Sequence, residues 1–368
     1  MESGRRRYGA LPSQSLRELM RCGFIFGADP ERVSPASLDL TLSEEIYEIE
    51  GAVQMRPGEK VRDVLGIAKS EKRSITQPLQ KQHTYLVRLN ETLKLPEGVY
   101  GYCNPKSSTG RIYLPVRVLA DGVSRFDTVA PAGFAGELWL LMSPRSFPIQ
   151  VDQGESLTQL RLFNGDSRFS EFDLQLALRE YKLMWHGSRN EPYEYKDLHI
   201  SDHDGSLILR SGFDDKIPGY ECLEPDLVLE TARIGEYQTS DFFRPIEIVD
   251  DRVHLKKDKF YILTTKERIR IPPCLASEMV PMDERFGDFR SHYAGFLDPG
   301  WGWGSMGEGF GRPFTLEVRP FEDIYMRTKQ PIAKIRFEYM LEEPDMQYDT
   351  RDSNYLSQSG PKLAKQFI

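Results

Sequence analysis

The sequence predicts an all-β protein, mainly antiparallel with a few short helices, built as two tandem copies of one domain. Three observations carry this. Apolar and polar residues alternate in "HTYLVRLNETLKL", "ELWLLM", "LTQLRLF", "FYILTTKERIRI", "FTLEVRPF" and "IAKIRFEYM", the period of strands with one buried face. Proline and glycine turns break these runs, leaving room for short helices only. The pattern also repeats. "YLVRLNETLKLPEGVYGY" (85–102) lies over "YILTTKERIRIPPCLASE" (261–278) at an offset of 176, with Tyr85 on Tyr261, Glu91 on Glu267 and Pro96 on Pro272. "LWLLMSPRSFPI" (138–149) and "SLTQLRLF" (156–163) match "PFTLEVRPFEDI" (313–324) and "PIAKIRFE" (331–338) at 175 or 176. Three matches in one order mark a duplicated domain.

Taken in order, the clearest helix lies in "LPSQSLRELMRCGFI", where Ser13 or Ser15 can cap and Leu16, Leu19 and Met20 share a face. Strands follow to about residue 190. The polar, turn-rich "GSRNEPYEYKDLHISDHDGS" (187–206) is the expected junction, giving domains 1–190 and 191–368. A chain of 368 residues fits two domains of the usual size.

The bulk properties exclude several classes. Runs such as "GELWLLM" fall far short of a bilayer span, and "MESGRRRYGALPSQSLREL" has charge without the apolar stretch of a secretory signal. A cytoplasmic protein with no membrane partner is expected. Cys22, Cys103, Cys222 and Cys274 are dispersed and read as reduced thiols. His199 and His203 form an HxxxH in a polar turn that nothing nearby completes as a zinc site, so no metal site is expected. A net charge of −8 argues against nonspecific nucleic-acid binding, and any anionic ligand needs a local cationic pocket.

"PASLDLTLSEEIYEI", "LPEGVYGYCNPKSSTGR", "AGFLDPGW", "TLEVRP" and "NYLSQSGPKLAKQF" together resemble the dCTP deaminase branch of the dCTP deaminase and dUTPase superfamily. The resemblance implies a distorted, dUTPase-like β barrel in each copy, and it splits the family pattern between them. The first half keeps Lys106-Ser107-Ser108-Thr109-Gly110-Arg111, with lysine for the leading arginine, but has "PAGF" (131–134) for D-P-G-[FW] and Leu141 at the family glutamate. The second half keeps Arg285, Asp298-Pro299-Gly300-Trp301 and Glu317, with Pro281 and Met282 at the serine positions. Complementary losses are what a duplication would show if one composite site had been retained. The tail matches the family's closing segment at Tyr355, Gln358 and Gly360, with Asn354 where a basic residue is usual and Lys362 as a substitute.

The implied reaction is hydrolytic deamination of dCTP to dUTP and ammonia, in supply of thymidine nucleotide precursors. Zinc deaminases carry H-x-E and P-C-x-x-C, and "PPCLASE" lacks the second cysteine, so no zinc is expected. A metal-free route needs a carboxylate that takes a proton from water and returns one to the leaving amine. Glu317, between Leu316 and Val318, has the place for it, since burial raises a carboxyl's pKa toward neutrality. Arg285 and Arg111 match the arginine that orients water and offsets developing charge. Lys106, Ser107 and Ser108 would hold the triphosphate, which brings Mg2+ with it. Asp298, Trp301, Tyr355 and Gln358 would contact the nucleoside or close over it. "GWGWGSMGEGFGRP" (300–313) lacks GxxxxGK[ST] and reads as a hairpin insertion. A dUTPase-type pyrophosphatase, a bifunctional enzyme and a degenerate nucleotide-binding regulator are the alternatives. A dimer or trimer of tandem chains fits the duplication.

Overall fold

The computed structural model describes residues 6–187, 189–213, 216–292, 295–350 and 360–368. The chain divides into two compact units. The N-terminal unit comprises Tyr8–Asp166, Glu224–Gln238 and Ala364–Ile368; Ser167–Leu223 and Thr239–Leu363 belong to the C-terminal unit. The division therefore falls after Asp166, ahead of the junction read from the polar 187–206 stretch. The reason is a helix, Glu171–Tyr181, capped by Ser170, whose Leu174, Ala177 and Leu178 pack with Leu207, Leu209 and Phe337 of the second unit's core.

Seven strands form the main path of the nine-stranded sheet of the N-terminal unit, with the short strands Ile25–Phe26 and Glu71–Arg73 paired beside it: β1 (Leu38–Ile49), β2 (Thr84–Lys94), β3 (Tyr100–Pro105), β4 (Val116–Ala120), β5 (Thr128–Val129), β6 (Ala135–Met142) and β7 (Ser156–Phe163). They pair in the order β4-β6-β2-β1-β7-β3-β5, every pair antiparallel. The first helix, α1 (Ser13–Arg21), starts one residue earlier than a serine cap requires: Pro12 is the N-cap, and Ser13 is fully buried inside the first turn. The Ser13 N–H is satisfied by Pro35 O at 3.0 Å instead.

Asp127 brings the two ends of this order together and makes the sheet a nearly closed, distorted barrel. Its carboxylate accepts from Val118 N (2.7 Å), its N–H donates to Val118 O (2.8 Å), and its carbonyl accepts from Cys103 N (2.9 Å). One residue so bridges β4 to β3.

The C-terminal unit repeats this wiring with β8 (Ser206–Arg210), β9 (Tyr220–Cys222), β10 (Tyr261–Thr264), β11 (Leu275–Val280), β12 (Phe289–His292), β13 (Phe296–Leu297), β14 (Thr315–Pro320) and β15 (Pro331–Tyr339). Here β1 is split into β8 and β9, giving the orders β8-β15-β11-β13 and β9-β10-β14-β12, the latter extended beyond β9 by the short strand Phe243–Pro245. Each pairing of the first unit has its counterpart in the second. The match extends to single residues: Tyr85 faces Met142 and Leu86 faces Leu141, as Tyr261 faces Val318 and Ile262 faces Glu317. The offset of 176 seen in sequence is thus a shared hydrogen-bond register. Among the described residues no helix is long and apolar enough to cross a membrane.

Burial holds the Asp127 carboxyl at a pKa of about 7, well above its ordinary value. A carboxyl raised in the fold retains its full stabilising contribution below its unfolded pKa of ~4 and loses it as pH rises through the folded value. Stability should therefore fall between about pH 4 and pH 7. Asp127→Asn keeps an acceptor for Val118 N without the charge. Thermal melting at pH 5 and pH 8 should show a drop for the wild type and a flatter response for the variant.

Candidate functional site

Lys106 lies at the end of β3, and the one-turn helix α2 (Ser107–Arg111) follows it. Two bonds to β7 fix the turn: Lys106 N and Thr109 Oγ1 both donate to Leu157 O, each at 3.0 Å. The Ser107 and Ser108 hydroxyls, partly exposed, have no hydrogen-bond partner among the described residues. The Lys106 ammonium is paired with Asp39, which also accepts from Gln159 Nε2 at 3.0 Å. Arg111 is buried at the far end of α2. A cavity of about 390 Å³ opens beside the loop, lined by Lys106, Ser108, Thr109 and Glu155 and, from remote parts of the chain, Arg32, Thr231, Lys365 and Gln366. Cationic and hydroxyl groups predominate on the walls, as an anion requires.

Glu317 is in the middle of β14 with no exposed surface. A carboxylate taken from water costs several kcal/mol unless its surroundings answer it. Its counterpart shows what the position otherwise holds. Leu141 packs with Ile49, Met55, Leu86, Leu119 and Trp139, under Val61 and Val64 of a short helix in the 50–70 segment. The N-terminal unit thus has an apolar wall where the C-terminal unit has a carboxylate.

Asp298 and Trp301, both buried, form the turn after β13, with Trp301 N donating to Asp298 O at 3.1 Å. Gly300 within this turn has φ +89°, and a Cβ there would lie 2.7 Å from Gln347 Cβ, so glycine is required. Trp301 belongs to the core and packs against Phe314, ring centres 4.9 Å apart. Arg285 is exposed in a 3₁₀ turn, its guanidinium bound to both Asp283 oxygens at 2.8 Å. Tyr355 and Gln358 lie outside the described residues. Lys362 donates its backbone N–H to Thr315 Oγ1 at 3.2 Å.

The glycine-rich segment is explained by a residue that the sequence reading passed over. Arg270, nearly buried, donates to Tyr181 O, Lys182 O, Gly307 O and Gly309 O at 2.6–3.1 Å, and Trp185 and Trp303 pack on its guanidinium. Burial lowers its pKa to about 10. Arg312, leading into β14, pairs with the nearly buried Asp349 at 2.8 Å, and Asp349 also accepts from Gly304 N at 3.0 Å. The loop is thus a fastened hairpin holding the approach to the Glu317 strand. Arg32, Lys365 and Gln366 were missed as well, because no motif links them to α2. A basic residue near the chain end was the one available signal, and Lys362 drew it.

Comparison with known families agrees with this geometry. Residues 7–166 match the family model for the 2'-deoxycytidine 5'-triphosphate deaminase N-terminal domain, and residues 200–367 match that for its C-terminal domain. The crystal structure of 2'-deoxycytidine 5'-triphosphate deaminase from Agrobacterium tumefaciens superposes with a TM-score of 0.82 at 31% identity, covering 92% of this chain and all of that one. No curated protein sequence matches significantly. The chain belongs to the dCTP deaminase family.

Arg270→Lys removes the planar fork that reaches four carbonyls. The substitution should cost about 2–4 kcal/mol. Thermal melting should register the loss, and limited proteolysis should cut within 300–313 in the variant but not in the wild type.

Proposed function

We propose that the protein hydrolyses dCTP to dUTP and ammonia, feeding thymidine nucleotide synthesis in the cytoplasm. Family membership and the related deaminase structure support the reaction class. The observation that carries the assignment of chemistry is Glu317, fully buried where the other copy has Leu141. A carboxylate kept in a position that the same fold fills with leucine has a reason beyond stability.

In this reading Glu317 takes a proton from water as the oxygen adds to the amino-bearing ring carbon, then hands a proton to the nitrogen that leaves as ammonia. No step needs zinc. Lys106, Ser107 and Ser108 hold the triphosphate, whose Mg2+ arrives as part of the substrate. For Lys106 to act, phosphate must compete with Asp39 for its ammonium. Arg111 and Arg285 offset charge near the base; Arg285 must leave Asp283 to do so. Asp298, Trp301, Tyr355 and Gln358 shape the nucleoside side.

Purified protein given dCTP should release ammonia and retain the triphosphate. Pyrophosphate release from dCTP or dUTP would instead mark a dUTPase-type or bifunctional enzyme, and release of neither a regulatory nucleotide binder. Glu317→Gln should lower the rate by about 10²–10⁴-fold with nucleotide affinity nearly unchanged; a variant as active as wild type refutes the assignment. Ser107→Ala should raise KM more than it lowers kcat.

A further inference from the structure

Remote segments complete the cavity beside α2, and they are locked there. Leu229 and Glu230 pair in parallel with Ile149 and Gln150. Thr231 donates its N–H to Gln150 O at 3.0 Å and its hydroxyl to Glu155. The chain end is bound to this segment in turn. Gly235 N donates to Lys365 O (3.0 Å), Glu236 N and Tyr237 N to Gln366 O (each 3.1 Å), and Ile368 N to Tyr237 O (2.9 Å). Gln366 Nε2 donates to Thr231 O at 2.8 Å. Main-chain bonds therefore fix Lys365 before any ligand arrives.

Three facts distinguish this corner of the cavity. The Lys365 ammonium and the Arg32 guanidinium, both partly buried, make no hydrogen bond or ion pair among the described residues. Gln366 is 2% exposed and its Oε1 has no hydrogen-bond partner, although its amide cannot be turned without losing the bond to Thr231. Carboxylates nearby are already engaged: Glu155 by Thr231 and Asp152 N, and Asp39 by Lys106 and Gln159. Two uncommitted cations beside an unanswered acceptor are an unfavourable arrangement, relieved by an anion that also carries an O–H or N–H.

We propose that Lys365, held by its clamped backbone, binds the phosphate groups of a polyphosphate ligand in this cavity, with Arg32 as second cation and Gln366 Oε1 accepting from the ligand or its bound water. This deepens the triphosphate reading and rests on it for the identity of the ligand. Burial lowers the pKa of Lys365, and the charge of Lys106 adds to this, while Glu155 and Asp39 act in the opposite sense. Polyphosphate affinity should therefore weaken at a lower pH than for an ordinary lysine. Arginine at this position stays charged and should abolish that weakening.

Calorimetric titration of the full chain with inorganic triphosphate tests the proposal. Wild type and Lys365→Arg should bind alike, whereas Lys365→Met, which keeps the apolar stem, should bind about 10- to 100-fold more weakly. With dCTP, Lys365→Met should raise KM by a similar factor and leave kcat nearly unchanged. Equal affinity in all three proteins, or no triphosphate binding by wild type, overturns the proposal. If triphosphate binds in a Lys365-dependent manner but dCTP yields no ammonia, the deaminase reading fails and the anion site stands. Matching melting temperatures across the three proteins exclude misfolding as the cause.

Discussion

The strand register at Glu317 is the constraint on which the rest of the structure depends. In an antiparallel sheet a slip of one residue turns every side chain to the opposite face, so the pairing of Ile262 with Glu317 decides that this carboxylate points where it does. The first copy uses the same register to bury Leu141 opposite Leu86. One backbone geometry therefore presents a hydrocarbon in one unit and a carboxylate in the other, and the difference in chemistry comes from the side chain alone.

The units have diverged in what they stabilise around that shared register. The 50–70 segment supplies Met55, Val61 and Val64 over Leu141, which commits that wall of the N-terminal unit to packing. The C-terminal unit instead spends its insertion on the hairpin around Arg270 and Asp349, which supports the approach to β14. The serine loop shows the converse. It is pinned to Leu157 with its two hydroxyls uncommitted in the first copy, while the second copy has Pro281 and Met282 and ends β11 just before them.

Much of the fold was legible because strand burial is a local, period-two property and because a duplicated sequence carries its register with it. Glu317 was singled out by the family resemblance, and the structure shows that it is buried, at the register position Leu141 holds in the first copy. The cavity walls were not. Thr231, Lys365 and Gln366 reach α2 through a two-residue parallel pairing and a set of main-chain bonds from the chain end, contacts that leave no periodic trace in the sequence. The compact units divide after Asp166 rather than within the polar 187–206 stretch because the buried face of the 171–181 helix decides which core it joins. Ser13 does not cap because it already lies in the first turn of the helix, with Pro12 in the N-cap position.

Central to this account is the proposal that the triphosphate-holding residues survive in one copy only, Lys106, Ser107 and Ser108, where the other copy has Pro281 and Met282 at the serine positions. Counting bound nucleotide tests it most directly. Equilibrium dialysis of radiolabelled dCTP against Glu317→Gln, in which turnover is suppressed, should saturate at one nucleotide per chain. Saturation at two per chain would mean that both copies kept complete sites, and would contradict the account.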